Sequence, residues 1–363
     1  MIDFRYHLVS LISVFLALAV GIVLGAGPLK ETIGDTLTGE VDALRSRAAD
    51  LRTELDAAQA EQALSQEVFA AVAPDLLDGV MSQRRIAVLT VGDVDLSVVE
   101  AVVDRLGQAG AQVTATVGVT EAWTDHARRS YRQSLAGTLV DYLDPVPEQS
   151  AGTPVELAEA LAQSLTTADP ADPGAFTEAA RVVLGVLAEA GLVAFKGEVT
   201  VPADGIVVLV EPAVVEAPAD QGTAEPVDPE VAAHREAVVT TAVQVATAAQ
   251  LRSRGAVVAS GEVVDGGLFD RLRDTTRMVR VATVESFDTV VGHVSVVLAL
   301  SARMSGTVGH FGPSASATEL VPPRLVLPLI DRTPQVPALP DGGDASGDAD
   351  AAGTEAETEG QAG

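Results

Sequence analysis

Residues 85–117 read RIAVLTVGDVDLSVVEAVVDRLGQAGAQVTATV, and this stretch decides the fold class. Its opening, Arg85-Ile-Ala-Val-Leu-Thr-Val91, is a continuous aliphatic run, the pattern of a strand buried on both faces. Leu96 to Ala109 repeats apolar residues three and four apart, which predicts an amphipathic helix. Ala111 to Val117 is a second β-branched run. Strand, helix and strand joined by short turns make a βαβ unit, whose crossover requires a parallel pair. The chain is therefore expected to be α/β.

The same alternation continues downstream. Helical patterns fall at 121–142, 155–167, 175–190 and 230–254, with a helical turn near Leu268–Arg273. Strands are expected at Ile206–Val210, Ala256–Ser260, Met278–Val284 and Val294–Leu300. Between them, residues 212–229 read PAVVEAPADQGTAEPVDP, an exposed acidic Pro/Ala-rich loop. Alternation on both sides of it predicts one mostly parallel, doubly wound sheet over residues 80–330; two domains are the alternative. From Asp341 to Gly363 almost nothing is apolar, so residues 331–363 are expected to form a disordered acidic tail.

Upstream, a short segment of residues 1–7 precedes Leu8–Gly27, LVSLISVFLALAVGIVLGAG, which carries no charge. About 20 such residues span a ~30 Å hydrocarbon core as a helix. The stretch is longer than a typical signal-peptide core, and Arg5 is the one strong base before it, so an uncleaved single-pass anchor is expected. A weak cleavage site at Gly25-Ala26-Gly27 leaves the signal-peptide alternative open. The bulk of the chain is expected outside the cytoplasm. Ala17, Gly21 and Gly25 stand four apart, a spacing at which membrane helices approach closely. Within residues 28–72, Leu37, Val41, Leu44, Ala48, Leu51, Leu55 and Ala58 alternate four and three apart. That repeat predicts a coiled-coil stalk and a homodimer or higher oligomer. A single amphipathic helix packed on its own domain is the alternative. Pro74 is expected to end this helical region.

Formal net charge is −28, which disfavours nucleic acid and anionic lipid headgroups as partners. There are no cysteines, so disulfides and thiolate metal sites are excluded. No hydrolase elbow, zincin motif or phosphate-binding loop is present, and nothing in the sequence argues for an enzyme. Asp93 and Asp95 follow the first strand, where open α/β sheets bind ligands, yet Ser97-Val-Val-Glu100 fits a capping box and assigns these acids to a helix start. His293, His310 and Met304 are weak metal candidates around the last apolar run. Gly306, Gly309 and Gly312 surround His310-Phe311 as a loop suited to close contact with a partner, or as a structural glycine turn. Arg271, Arg273, Arg277 and Arg280 interleave with Asp270 and Asp274 as a salt-bridged face.

Several stretches resemble one family. Ile2-Asp3-Phe4-Arg5-Tyr6-His7-Leu8-Val9-Ser10-Leu11 and Val14 to Gly25 are similar to the start of the actinobacterial copper transport family MctB. Gly107 to Val117 and the Gly-His-aromatic-Gly loop Val308-Gly309-His310-Phe311-Gly312 extend the likeness over residues 1–325. The resemblance implies a channel-like envelope membrane protein, described as outer-membrane, that limits intracellular copper. No firm cofactor follows; copper is the ligand that the family implies. The residues by themselves also fit a non-enzymatic envelope scaffold, in which a dimeric stalk presents an α/β domain to a protein partner. If the heptad seam is correctly placed, replacing Leu44 and Leu51 by Asp buries charge in it and dissociates the oligomer; an unchanged sedimentation profile would show the seam to be misplaced.

Overall fold

The computed structural model describes residues 4–26, 28–147, 152–212, 228–261, 263–264, 266–275 and 280–334. Most of the acidic loop, the tail from residue 335, Gly27, Arg277 and Met278 lie outside the described residues. The chain divides into two compact units, Met1–Val72 and Ala73–Gly363.

The first unit begins with helix α1 (Phe4–Ala26), whose stretch Phe4–Val23 is long and apolar enough to cross a membrane. The charge-free run thus starts its helix four residues earlier than hydropathy alone predicts. Ala17, Gly21 and Gly25 lie on α1, with open space beside Gly21. Helix α2 (Pro28–Leu77) begins at a proline, whose fixed φ suits a first helical turn. On it Val41, Leu44, Ala48, Leu51 and Leu55 are all exposed, and beyond them Leu64, Val68 and Val72 are exposed as well.

Pro74 does not end α2, which runs on to Leu77. Burial explains the extra turn: Ala73 and Leu77 are fully buried, and the Asp78 N–H donates to the Pro74 carbonyl at 2.9 Å. The second unit continues with β1 (Arg85–Val91), α3 (Leu96–Gln108) and β2 (Gln112–Val119), the expected βαβ unit with its parallel pair. Asp95, not Ser97, caps α3: its carboxylate accepts from the Ser97 N–H and Oγ, both at 2.8 Å. The helix expected at 121–142 is broken into two 3-10 turns, α4 (Arg129–Leu139) and a third turn at Val140–Tyr142. Asp125 interrupts it by accepting from the Ala127 N–H, a local bond that competes with helix.

Then follow α5 (Thr153–Thr166), α6 (Glu178–Glu189), β3 (Val193–Phe195), β4 (Gly205–Val210), α7 (Pro229–Arg252), β5 (Ala256–Ala259), α8 (Leu268–Thr275), β6 (Ala282–Val284), α9 (Val290–Met304) and β7 (His310–Phe311). The strand expected at Val294–Leu300 is the middle of α9. A short apolar run does not distinguish a buried strand from a buried helix. Here the Thr289 side chain, accepting from the Gly292 N–H at 3.0 Å, starts a helix that is buried on every side from Gly292 to Ala302.

One seven-stranded sheet results, in the order β3-β2-β1-β4-β5-β6-β7. Every pairing is parallel except β2 with β3. Ala87, Leu89, Ile206, Val208 and Val258 pack into a core with α5, α6 and α7. The alternate residues Ile86, Val88, Val207, Leu209 and Val257 are equally buried, so the central strands are covered on both faces.

One buried ion pair ties α5 to α7. Arg252 Nε donates to Glu159 Oε2 at 3.1 Å, and the two side chains are 7% and 9% exposed. The same guanidinium donates to Gln163 Oε1 and to the Asp144 and Pro145 carbonyls at 2.7–2.8 Å. Removing one partner strands the other charge in the interior. Arg252→Met is therefore expected to destabilise the chain by about 3–5 kcal/mol in urea unfolding, and adding Glu159→Leu should recover part of that loss. Simple additivity of the two changes would show that the charges are solvated independently.

Candidate functional site

Parallel strands buried on both faces leave their carboxyl ends as the natural place for polar groups, and ligands bind there where strand order reverses. In this sheet the reversal lies between β1 and β4. The residue after each strand is polar or permissive: Gly92 follows β1 and Glu211 follows β4. Gly92 has φ +80°, and a Cβ there would meet the Glu211 carboxylate at 2.4 Å, so the position accepts only glycine without rearrangement. Glu211 Oε2 accepts from the Asp93 N–H at 3.0 Å and lies 3.2 Å from His234 Nε2 on α7.

A cleft of about 460 Å³ opens beside this pair, lined by Gly92, Asp93, Thr120, Glu121, Trp123, Thr124, His234, Val238 and Thr241. On the other side of His234 and Val238 lies a small apolar recess with Val231, Leu268 and Phe269. The cleft holds one buried polar group without a partner: Trp123 Nε1 has no hydrogen bond among the described residues. Thr241, which is 4% exposed, lines the cleft with its hydroxyl-bearing side chain. Of the acids flagged by position, Asp95 serves α3 as a cap, whereas Asp93 lines this cleft.

A second glutamate at a strand end repeats the device. Glu285 follows β6, is 5% exposed, and accepts from the Ser314 N–H at 2.9 Å and Ser314 Oγ at 2.6 Å. Gly312 passes directly over it, where a Cβ would lie 2.4 Å from its carboxylate. Gly306 terminates α9 with φ +93°, and Gly309 lies against the Phe311 ring. The loop's three glycines thus each have a place within the fold.

The weak metal candidates occupy separate positions. His310 on β7 hydrogen-bonds through Nδ1 to Thr283 Oγ1 at 2.8 Å. His293 lies in the first turn of α9 with Nε2 buried and unpaired. Met304 ends the same helix, about 16 Å of rise further on. It packs on Gly205 and Gly255, at the amino ends of β4 and β5. Among the described residues, no group of three or more His, Cys, Asp or Glu is arranged to hold a metal ion. Within the basic cluster, Arg271 forks onto Glu236 at 2.6 and 2.7 Å and Arg273 pairs with Asp270, a salt-bridged face; Arg277 lies outside the described residues.

Comparison with known proteins decides the family. The family model described as "Copper transport outer membrane protein, MctB" matches residues 1–322. The chain belongs to the MctB family. The copper transporters MctB of Mycobacterium tuberculosis and Mycobacterium bovis are each 27% identical over 338 residues, covering 87% of this chain and 98% of theirs. That of Mycobacterium leprae is 31% identical over 136 residues, 34% of this chain and 39% of its own. The MctB match takes in both α1 and the sheet unit.

Glu211, His234, Trp123 and Thr241 escape a reading by motif because they come from three separate segments: the end of β4, α7 and the 3-10 turn Glu121–Trp123. One signal was available: Glu211 and Glu285 each directly follow an aliphatic strand, at the ligand-binding end of the sheet. His293 on α9 and His310 on β7 make a pH prediction. Burial lowers the pKa of His293, aided by Arg105 and opposed by Asp288 and the Phe287 backbone. Burial also lowers that of His310, aided by Arg273 and opposed by Glu285. The unfolded chain therefore binds protons first, below about pH 6.5, so this stabilisation is complete above that pH and is lost as pH falls towards the folded values. Urea stability should drop as pH falls below about 6.5. The drop should shrink in His293→Gln with His310→Gln, and an identical drop would exclude these rings as its source.

Proposed function

We propose that this chain is a membrane-anchored protein of copper homeostasis, acting in copper transport or efflux. The observation that carries this reading is the family match over residues 1–322, with relatives named copper transporters aligned over 98% of their length. In this reading α1 is a single-pass anchor in an envelope membrane, and the doubly wound α/β unit lies outside the cytoplasm. One helix cannot line a pore, so conduction requires several copies. The Ala17, Gly21 and Gly25 face of α1 suits close helix packing, and the exposed seam of Val41, Leu44, Ala48, Leu51 and Leu55 suits pairing of α2 with a second copy.

A second reading has its own support. His293, His310 and Met304 do not come together, and the apolar stripe on α2 favours an assembly role. In that reading the chain is a non-enzymatic envelope scaffold whose paired stalk presents the α/β unit to a protein partner. Cellular copper under copper stress separates the two. Deletion of the gene should raise copper content, and the intact gene should restore it. Unchanged copper on deletion would reject the transport reading and leave the scaffold.

A further inference from the structure

We infer that the cleft at the carboxyl ends of β1, β2 and β4 is a binding site for a small organic cation: a primary amine that also carries hydroxyl or carbonyl oxygens. Four observations converge on it. The cleft lies at the reversal of strand order and has the volume of a small-molecule site, about 460 Å³. Asp93 and Glu121 line it, and no Lys or Arg does so among the described residues; Glu211, which lines the adjoining recess with Arg235, reaches the cleft's wall through its bonds to the Asp93 N–H and His234. Its charge therefore selects a positive group. Trp123 Nε1, on a residue 4% exposed, is buried with no hydrogen-bond partner among the described residues, and Thr241 lines the same cleft. A buried donor without a partner marks where a ligand acceptor belongs.

The cation is organic rather than metallic because, among the described residues, no group of three or more His, Asp or Glu is arranged as a metal cage. The Glu211 carboxylate is already fixed by the Asp93 N–H and His234, which holds it in place for a charge-assisted hydrogen bond from an ammonium. The ligand's oxygens then accept from the indole N–H and the threonine hydroxyl.

Trp123 is the chain's single tryptophan, so its fluorescence reports on this cleft alone. The full-length protein in detergent would be titrated with glucosamine, ethanolamine and alaninamide. Each has a neutral counterpart: glucose, ethylene glycol and propionamide. At least one amine should give a saturable Trp123 response at least tenfold tighter than its neutral counterpart. Glu211→Gln should weaken that response at least tenfold. Thr241→Val, which keeps the side chain's shape, should weaken it severalfold while leaving the unliganded spectrum unchanged, a control for folding. Silence towards all three amines, equal response to the neutral molecules, or full response in both variants would overturn the site. None of these outcomes depends on copper content.

Discussion

The parallel pairing of β1 with β4 is the constraint on which the rest of the structure depends. Both strands are buried on both faces, with Ile86 to Leu89 and Ile206 to Leu209 fully out of solvent. Their edges are also consumed, since β2 flanks one and β5 the other. The side chains from Ile86 to Leu89 and from Ile206 to Leu209 are all apolar, so polar chemistry is displaced to the strand ends. At the carboxyl end that displacement produces Gly92 beside Glu211, and two strands away Gly312 beside Glu285. In each case a glycine gives the carboxylate room and a backbone N–H fixes it, so a charged group sits against an apolar sheet without an unsatisfied acceptor.

The amino end of the sheet is closed by the chain's own C-terminal stretch. The Leu327 N–H donates to the Val80 carbonyl at 3.0 Å, and Arg324 donates to the Leu76 and Asp78 carbonyls at 2.8 Å. The last carbonyls of α2 have no partners within their own helix, and a guanidinium is well suited to them. Farther along, Arg332 pairs with Asp204, which in turn accepts from the Arg85 N–H at 2.8 Å. The first residues of the acidic segment, Asp331–Pro334, thus belong to the packing of the second unit. These links join residues 119 to 248 positions apart in sequence, the longest being Arg324 with Leu76.

That separation explains what the sequence discloses and what it withholds. The βαβ unit, β4, β5, α5 and α7 are legible because each is a local pattern of burial, and the parallel sheet follows from their alternation. Val294–Leu300 misleads because an unbroken apolar run records burial but not conformation; Thr289, five residues upstream, is the cap that sets the helix. Pro74 misleads for the converse reason: a local breaker is overridden once Ala73 and Leu77 enter the core. At the cleft, Asp93 is visible from its place after a strand, whereas Glu211, His234 and Thr241 are brought to it by β4 and α7. Nothing local in their spacing anticipates that.

Side-chain chemistry also bears on how a copper-linked family member of this composition works. Soft Cu(I) prefers thiolate and thioether ligands. The chain has no cysteine and four methionines. Of the two methionines among the described residues, Met81 is fully buried and Met304 is packed on the glycines at the amino ends of β4 and β5. The Met81 thioether is committed to the core, Met304 is half-buried, and the acidic exterior offers carboxylates, which suit harder ions. The physical resources left over are an apolar helix with a small-residue face and a long helix with an uncovered apolar stripe. Both leave apolar side chains exposed. Among the described residues, then, the side chains that suit soft copper are few and scattered, while the exposed apolar surface of α1 and α2 is extensive.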